Sequence, residues 1–345
     1  GVAYTNGTFL FTVMGSVKSK DVVQDRPQPI IGDKRLNINV TIDARWNYND
    51  PEEKPAYGKG TAEDPYIIRN PYHLKYALNH NKAGEFYKQI CDIRLNQHFL
   101  TNDFLSIPDV SHLESWIANT EFKVVQWKAN YDGGGHFIHG MVLEANSRDK
   151  DHRSYYGLFE DITSTGSVNS LGIIGSSVVS LQEEEPNVFY GFIAGRVAGK
   201  VKDCIVQGVL RSFSPSGGIC GFVDEGGVVE DCIAAVFPFA SEIKNVFTPF
   251  VSFNNNRNKG TVQHCLSVMP NIFTDSRYST DNLSSVKDCY WLKGYESGNN
   301  GTTLDKIGEA LSKRRQWTWE KEYFPMLKTF AKIDMAKLLM VPVRS

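Results

Sequence analysis

Four residues at one position of a recurring phrase could do chemistry together: Asp203, Asp231, His264 and Asp288. They stand in Val201-Lys202-Asp203-Cys204, Val229-Glu230-Asp231-Cys232, Val262-Gln263-His264-Cys265 and Val286-Lys287-Asp288-Cys289. If the phrases stack, like charges fall side by side and repel. A cation would relieve them, since Ca²⁺ takes oxygen ligands from several carboxylates and carbonyls; a carbohydrate is the other ligand such a face would suit. The same position also fits a turn column in which each short polar side chain bonds nearby backbone. That second reading is preferred, so no metal ligand is assigned and any ligand-binding set is left unknown.

The cysteine of each phrase invites metal or redox chemistry. None of the six cysteines, however, forms a close Cys-x-x-Cys pair, the spacing that zinc sites and redox motifs use. Cys204, Cys232, Cys265 and Cys289 read instead as small buried apolar residues, as free cysteine commonly behaves. His136 and Asp132 share the turn Asp132-Gly133-Gly134-Gly135-His136, which reads as structural. Trp116 and Trp127 could stack on sugar rings, but aromatic residues beside strands more often belong to a core or cap. Glu183-Glu184-Glu185 is a solvated insertion. The chain has no Gly-x-x-x-x-Gly-Lys-Ser/Thr loop, Gly-x-Ser-x-Gly elbow or His-Glu-x-x-His. No catalytic residue and no cofactor are assigned.

The elements that must position these residues follow from the repeat. The phrases recur about 24 to 33 residues apart, with looser copies at Val168-Asn169-Ser170-Leu171 and Ile138-His139-Gly140-Met141. Periods of that length signal a solenoid, whose coils cannot bury their apolar side alone but share a continuous core when stacked. The expected fold is all-β, a right-handed parallel β-helix with short capping helices. Leu74, Ala77 and Leu78 share a helical face behind Asn70-Pro71, which suits a helix start and a first cap. Leu304–Leu311 has helical spacing, and Trp317, Trp319, Tyr323, Phe324 and Leu327 supply an apolar plug for the other end. Ile333–Val343 is a further apolar run, a closing element or the start of a following module.

Four regions result. Residues 1–45 hold two strand-type runs, Thr8–Val13 and Leu36–Ile42, either a hairpin or the remnant of a preceding domain; an Asn/Asp/Pro-rich linker follows. Residues 46–121 form the N-terminal cap and first coils, 122–294 the repeats, and 295–345 the C-terminal cap. Of the 345 residues, 41% are hydrophobic, enough for a core. The net charge of −2 argues against a nucleic-acid or polybasic membrane binder, and no apolar run is long enough to span a bilayer. The chain begins Gly-Val with no leader, so either a signal peptide has been removed or the chain starts within a longer protein.

One stretch is more specific. Gly58-Lys59-Gly60-Thr61 with Pro65-Tyr66, the short helix, Asp92-Ile93-Arg94-Leu95 and Asp132-Gly133-Gly134-Gly135-His136-Phe137-Ile138 together resemble the opening of bacterial surface proteins with Gly-Leu-x-Gly (GLUG-type) repeats. The repeat signature is matched in whole or part at Gly157-Leu158-Phe159, Gly191-Phe192-Ile193-Ala194-Gly195 and Gly218-Ile219-Cys220-Gly221, so the resemblance covers about Gly58 to Trp291. Glu160 and Ala194 stand where the second glycine is expected, and Pro249–Phe253 has lost both. The resemblance implies a secreted, adhesin-like β-solenoid of the Bacteroidetes type, extracellular or at the cell surface, with a host or microbial glycan or a surface protein as partner. It transfers no active-site residues. The leading reading is therefore a non-catalytic binding module; the alternative is a carbohydrate-active β-helix enzyme, a polysaccharide lyase or hydrolase, which would need no local motif.

Overall fold

The computed structural model describes residues 51–95, 125–145, 155–180, 188–211, 216–238, 247–251, 259–268, 286–291 and 303–331 apart from 322. The chain divides into Gly1–Arg45 and Trp46–Ser345. The strand runs expected in the first unit, Trp116, Glu183–Glu185 and Ile333–Val343 lie outside the described residues.

The fold is the expected all-β parallel β-helix with short helices. Eight parallel strands form one sheet, here the ladder sheet: Tyr66–Ile68, Phe86–Gln89, Asn130–Asp132, Ser167–Asn169, Lys200–Lys202, Val228–Glu230, Thr261–Gln263 and Val286–Lys287. Each coil then turns a corner into a second, long-strand sheet whose members include Phe137–His139, Gly172–Ser180, Ile205–Arg211, Ile233–Pro238 and Leu266–Ser267. Two four-stranded sheets complete the coil, one including Tyr155–Tyr156 and Phe189–Tyr190, the other Phe159–Ile162, Ala194–Val197 and Cys220–Val223.

The register explains the repeat. Val168, Val201, Val229, Val262 and Val286 pair in succession, and the first four are wholly buried. Toward the N-terminus the same column continues as Tyr131 and Tyr87. Ile138-His139-Gly140-Met141 is therefore not a copy of the phrase: Ile138 pairs with Ile93 and Ile173 in the long-strand sheet. Its corner carries four residues, Gly133 to His136, where the next coil has only Ser170 and Leu171, and the extra residues displaced the expected alignment. Aromatic rings fill the interior of the early coils, with Trp127, Tyr131 and Phe159 centroids 5.0 to 5.9 Å apart. In the later coils valine and cysteine take over the ladder and corner positions, while Phe192 and Phe250 are still buried in the core.

The glycine signature also has a physical basis. Ala194 pairs with Phe159 and Cys220, so Glu160, Gly195 and Gly221 share one position, and Gly195 holds the slot that spacing alone gave to Ala194. A Cβ on Gly195 would lie 2.4 Å from the Tyr156 nitrogen, and one on Gly221 2.8 Å from the Phe189 Cβ. The two short sheets can approach this closely only without those side chains.

Helix α1, Pro71–His80, begins as expected: Asn70 accepts a 2.7 Å bond from the His73 amide and Pro71 occupies the first turn. Leu74, Ala77 and Leu78 are buried in the coil core. Its end is tied to Gln126–Trp127, the first strand of its sheet, by Asn81, which donates to the Gln126 carbonyl and accepts from the Lys128 amide.

The C-terminal segment is where the structure departs from expectation. Helix α2, Leu304–Leu311, leads to an antiparallel pair, Trp317–Thr318 with Met326–Leu327, and a 3-10 turn, Lys328–Phe330. Its described residues do not plug an end; they run along the flank as a strap. Ile307, Leu311, Trp317, Met326, Leu327 and Phe330 form a second core with Phe137, Ile205, Ile233, Ala235, Leu266 and Val268. The in-register residues Ile205, Ile233 and Leu266 belong to the long-strand sheet, so this sheet is apolar on both faces and the strap covers the outer one.

Candidate functional site

Two adjoining features define the site: the outward face of the ladder sheet and the corner that follows it. One outward column of the ladder runs Lys88, Asp132, Asn169, Lys202, Glu230, Gln263, Lys287, and the other Asn130, Ser167, Lys200, Val228, Thr261. All are half-buried or exposed. The column from Lys88 to Lys287 spans seven rungs, about 29 Å at ~4.8 Å per rung, and Ile67 and Phe86 extend the two columns at the N-terminal end. Neighbouring rungs are cross-linked: Ser167 donates to Asn130 at 2.8 Å, Lys202 to Glu230 at 2.8 Å and Gln263 to Glu230 at 3.0 Å, while Lys88 lies 3.7 Å from Asp132. Burial pushes the Glu230 carboxyl up, but the bonds from Lys202 and Gln263 outweigh it and hold the group below its ordinary value.

The corner residues are the four singled out by sequence, together with Ser170. Ser170, Asp203, Asp231, His264 and Asp288 all have φ between 48° and 56°, the left-handed region that short polar residues tolerate best. One such residue turns the chain from one sheet into the next. The turn reading holds for the backbone, but the side chains do not bond the local backbone as expected. Asp203, Asp231 and His264 reach the strap, while Ser170 and Asp288 meet only their corner neighbours among the described residues. Asp231 accepts from Arg314 Nε at 2.9 Å and from Trp317 Nε1 at 2.9 Å. Asp203 accepts from Ser170 at 3.0 Å and from the Thr329 hydroxyl. His264 Nε2 meets Arg314 Nη1 at 3.1 Å and lies 3.8 Å from Asp288. From Arg314 to Phe330 the strap thus passes the rungs of His264, Asp231, Asp203 and Phe137 in turn.

This placement bears on the cation. Arg314 occupies the position a bound cation would take beside Asp231, and Lys202 stands 3.9 Å away. Asp203 keeps one oxygen, Oδ1, with no hydrogen-bond partner among the described residues. Burial raises its pKa, the Thr329 and Ser170 hydroxyls oppose that, and the nearby Asp231 adds to it; the net shift is upward. Among the described residues no group of three His, Cys, Asp or Glu is arranged to hold a metal.

Cys204, Cys232 and Cys265 point inward and are wholly buried, and Cys289 at the last described rung is half-buried; all are free thiols. Burial pushes the first three thiols well above their ordinary value, which suppresses the thiolate that redox and metal chemistry need. Trp127 is wholly buried and donates to the Ser167 carbonyl at 3.2 Å, so it offers no face to a sugar. Asp132 and His136 are not brought together as a pair: Asp132 accepts from the Gly134 amide at 2.9 Å, whereas His136 lies 3.5 Å and His139 3.6 Å from Asp92.

Sequence reasoning missed Arg314, Trp317 and Thr329 as partners of the corner. It also missed a triad along the short sheet of Phe159–Ile162, Ala194–Val197 and Cys220–Val223, where Arg196 Nη1 donates to both oxygens of Asp161 at 3.0 and 3.1 Å and Nη2 to Asp224. Burial pushes Asp161 up despite Arg196; burial also raises Asp224, but the bond from Arg196 outweighs it and holds Asp224 down. No local signal marks these residues, since each partner comes from a different coil.

No family model matches the chain, and no curated protein matches it. The GLUG-type likeness therefore stays a resemblance of motifs. A solved structure from Bacteroides ovatus, described as a "putative immunoglobulin A1 protease", is 15% identical and aligns over 79% of this chain and 94% of that one with a TM-score of 0.45. The fold stated above rests on the strand pairing rather than on that likeness. No described helix is long and apolar enough to cross a membrane.

Proposed function

We propose that this chain is a secreted or cell-surface binding module of adhesin type, which presents the ladder face to an extended glycan or a surface protein. The observation that carries the reading is the ladder itself: from Lys88 to Lys287 its outward columns are amide, hydroxyl and charged side chains, Val228 excepted, repeated at the rung spacing. Such a face offers hydrogen-bonding groups along a line, which suits a linear polymer or an extended protein edge better than a small molecule, whose sites are concave. The carboxylates of the corner support it, because Asp231 and Asp203 are engaged by the strap rather than turned toward a substrate. The test is binding of the full chain to immobilised polysaccharides and extracellular proteins, repeated with Lys88, Lys200 and Lys287 changed to Ala. Binding that survives the triple change unaltered removes the ladder from the reading.

A second reading, a carbohydrate-active enzyme, is favoured by one observation. Asp161 and Asp224 flank Arg196 and their pKa values are pushed in opposite directions, the pattern that lets one carboxyl act as acid and another as base. Incubation with uronic-acid polysaccharides, following unsaturated products and reducing ends, decides it. Turnover lost in Asp161→Asn would replace the binding reading.

A further inference from the structure

We propose that His264 is a proton-operated latch for the C-terminal strap, holding it down as a neutral acceptor and loosening it when it takes up a proton. A guanidinium has only donors and stays protonated in proteins, so in the 3.1 Å contact between Arg314 Nη1 and His264 Nε2 the imidazole must accept. An imidazole that accepts at Nε2 is neutral and carries its proton on Nδ1. That Nδ1 is buried and without a hydrogen-bond partner among the described residues. Protonation would convert the acceptor to a donor and leave two cations in contact.

Arg314 is the residue through which the strap grips the corner, with Nε on Asp231 at 2.9 Å, and Trp317 follows it onto the same carboxylate. Loosening Arg314 frees the strap where it meets the later coils and bares Ile205, Ile233 and Leu266 beneath it. The groups facing His264 pull both ways. Burial and Arg314 favour its neutral form, while Asp231, Asp288 and Glu230 favour its charged form; the net effect is a lowered pKa. A histidine with a depressed folded pKa contributes stability above its unfolded value of 6.5 and loses it as pH falls through the folded value. Asp203, under Thr329, acts with opposite sign, its raised pKa favouring the folded strap in acid. His73 has the same sign as His264 but sits on α1, away from the strap.

The readout must therefore be local. Hydrogen exchange of the full chain between pH 7.5 and pH 5, corrected for intrinsic rates, should show residues 304–331 losing protection several-fold while the Val201–Cys232 coils keep theirs. His264→Gln, which can still accept but does not titrate, should abolish the step. A step of equal size in that variant, or none in the wild type, overturns the latch. Imidazole nitrogen shifts of the wild type give an independent check that needs no variant. His264 should carry its proton on Nδ1 at pH 7.5 and titrate together with strap opening; an Nε2–H tautomer, or a midpoint unrelated to opening, also overturns it.

Discussion

Asp231 and Cys232 are sequence neighbours, both wholly buried, and buried for opposite reasons. Cys232 points into the coil, where its neighbours are apolar and the same position of the adjacent coils supplies Cys204 and Cys265. Asp231 points out of the coil and would be exposed but for the strap, which brings a guanidinium and an indole N–H to it. The inner column is buried by repetition and the outer by a single long-range contact. One consequence is tolerance: the inner column asks only for an apolar side chain, Leu171 in one coil and cysteine in the next, whereas the outer asks for matched donors.

Exchanging the two chemistries separates the two kinds of burial most directly. Cys232→Asp should cost at least several kcal/mol in chemical denaturation, because a carboxylate inside the coil has no donor to meet; a midpoint equal to the parent's would show that the column is not internal. Asp231→Ala should cost about 3 kcal/mol, the range for removing one partner of a buried ion pair, with the loss concentrated in exchange protection of residues 304–331. Gly308→Ala should cost about 1 to 3 kcal/mol by overpacking, since a Cβ there falls 2.1 Å from the Trp319 indole. Trp317→Phe, which keeps the ring in the second core and deletes only the N–H bond to Asp231, should cost about 1 kcal/mol. The smallest effect is expected at Asp203→Asn. The raised pKa of Asp203 means that its carboxyl contributes most below the unfolded value of 3.8 and loses that contribution as pH rises through the folded value. The variant should thus match the parent in acid and equal or exceed it at neutral pH. A variant markedly weaker at neutral pH would mean that the carboxylate, despite its unpartnered oxygen, is a net stabiliser.

Much of the fold was legible because repetition writes itself into sequence. A buried column recurs once per coil, so Val and Cys recur too, and helix α1 was readable from Asn70, Pro71 and three apolar residues at helical spacing. Legibility failed where coils differ in length. The four-residue corner at Gly133–His136 pulled Ile138 into the wrong column, and one additional residue in the Gly191 corner put Ala194 where Gly195 belongs. Helix α2 was likewise predicted as a helix from its own spacing, but nothing local said that it would lie along the flank. The contact between Arg314 and Asp231 spans 83 residues, and no periodicity relates them.

Local sequence thus determined the stacked coils, their inward column and the presence of a turn at the corner, because each depends on residues within one repeat and its neighbour. Tertiary structure alone decided what the corner carboxylates do. A short polar side chain at φ near +50° serves equally as a free turn, a cation ligand or a docking point, and the choice was made by the strap that folded back onto it.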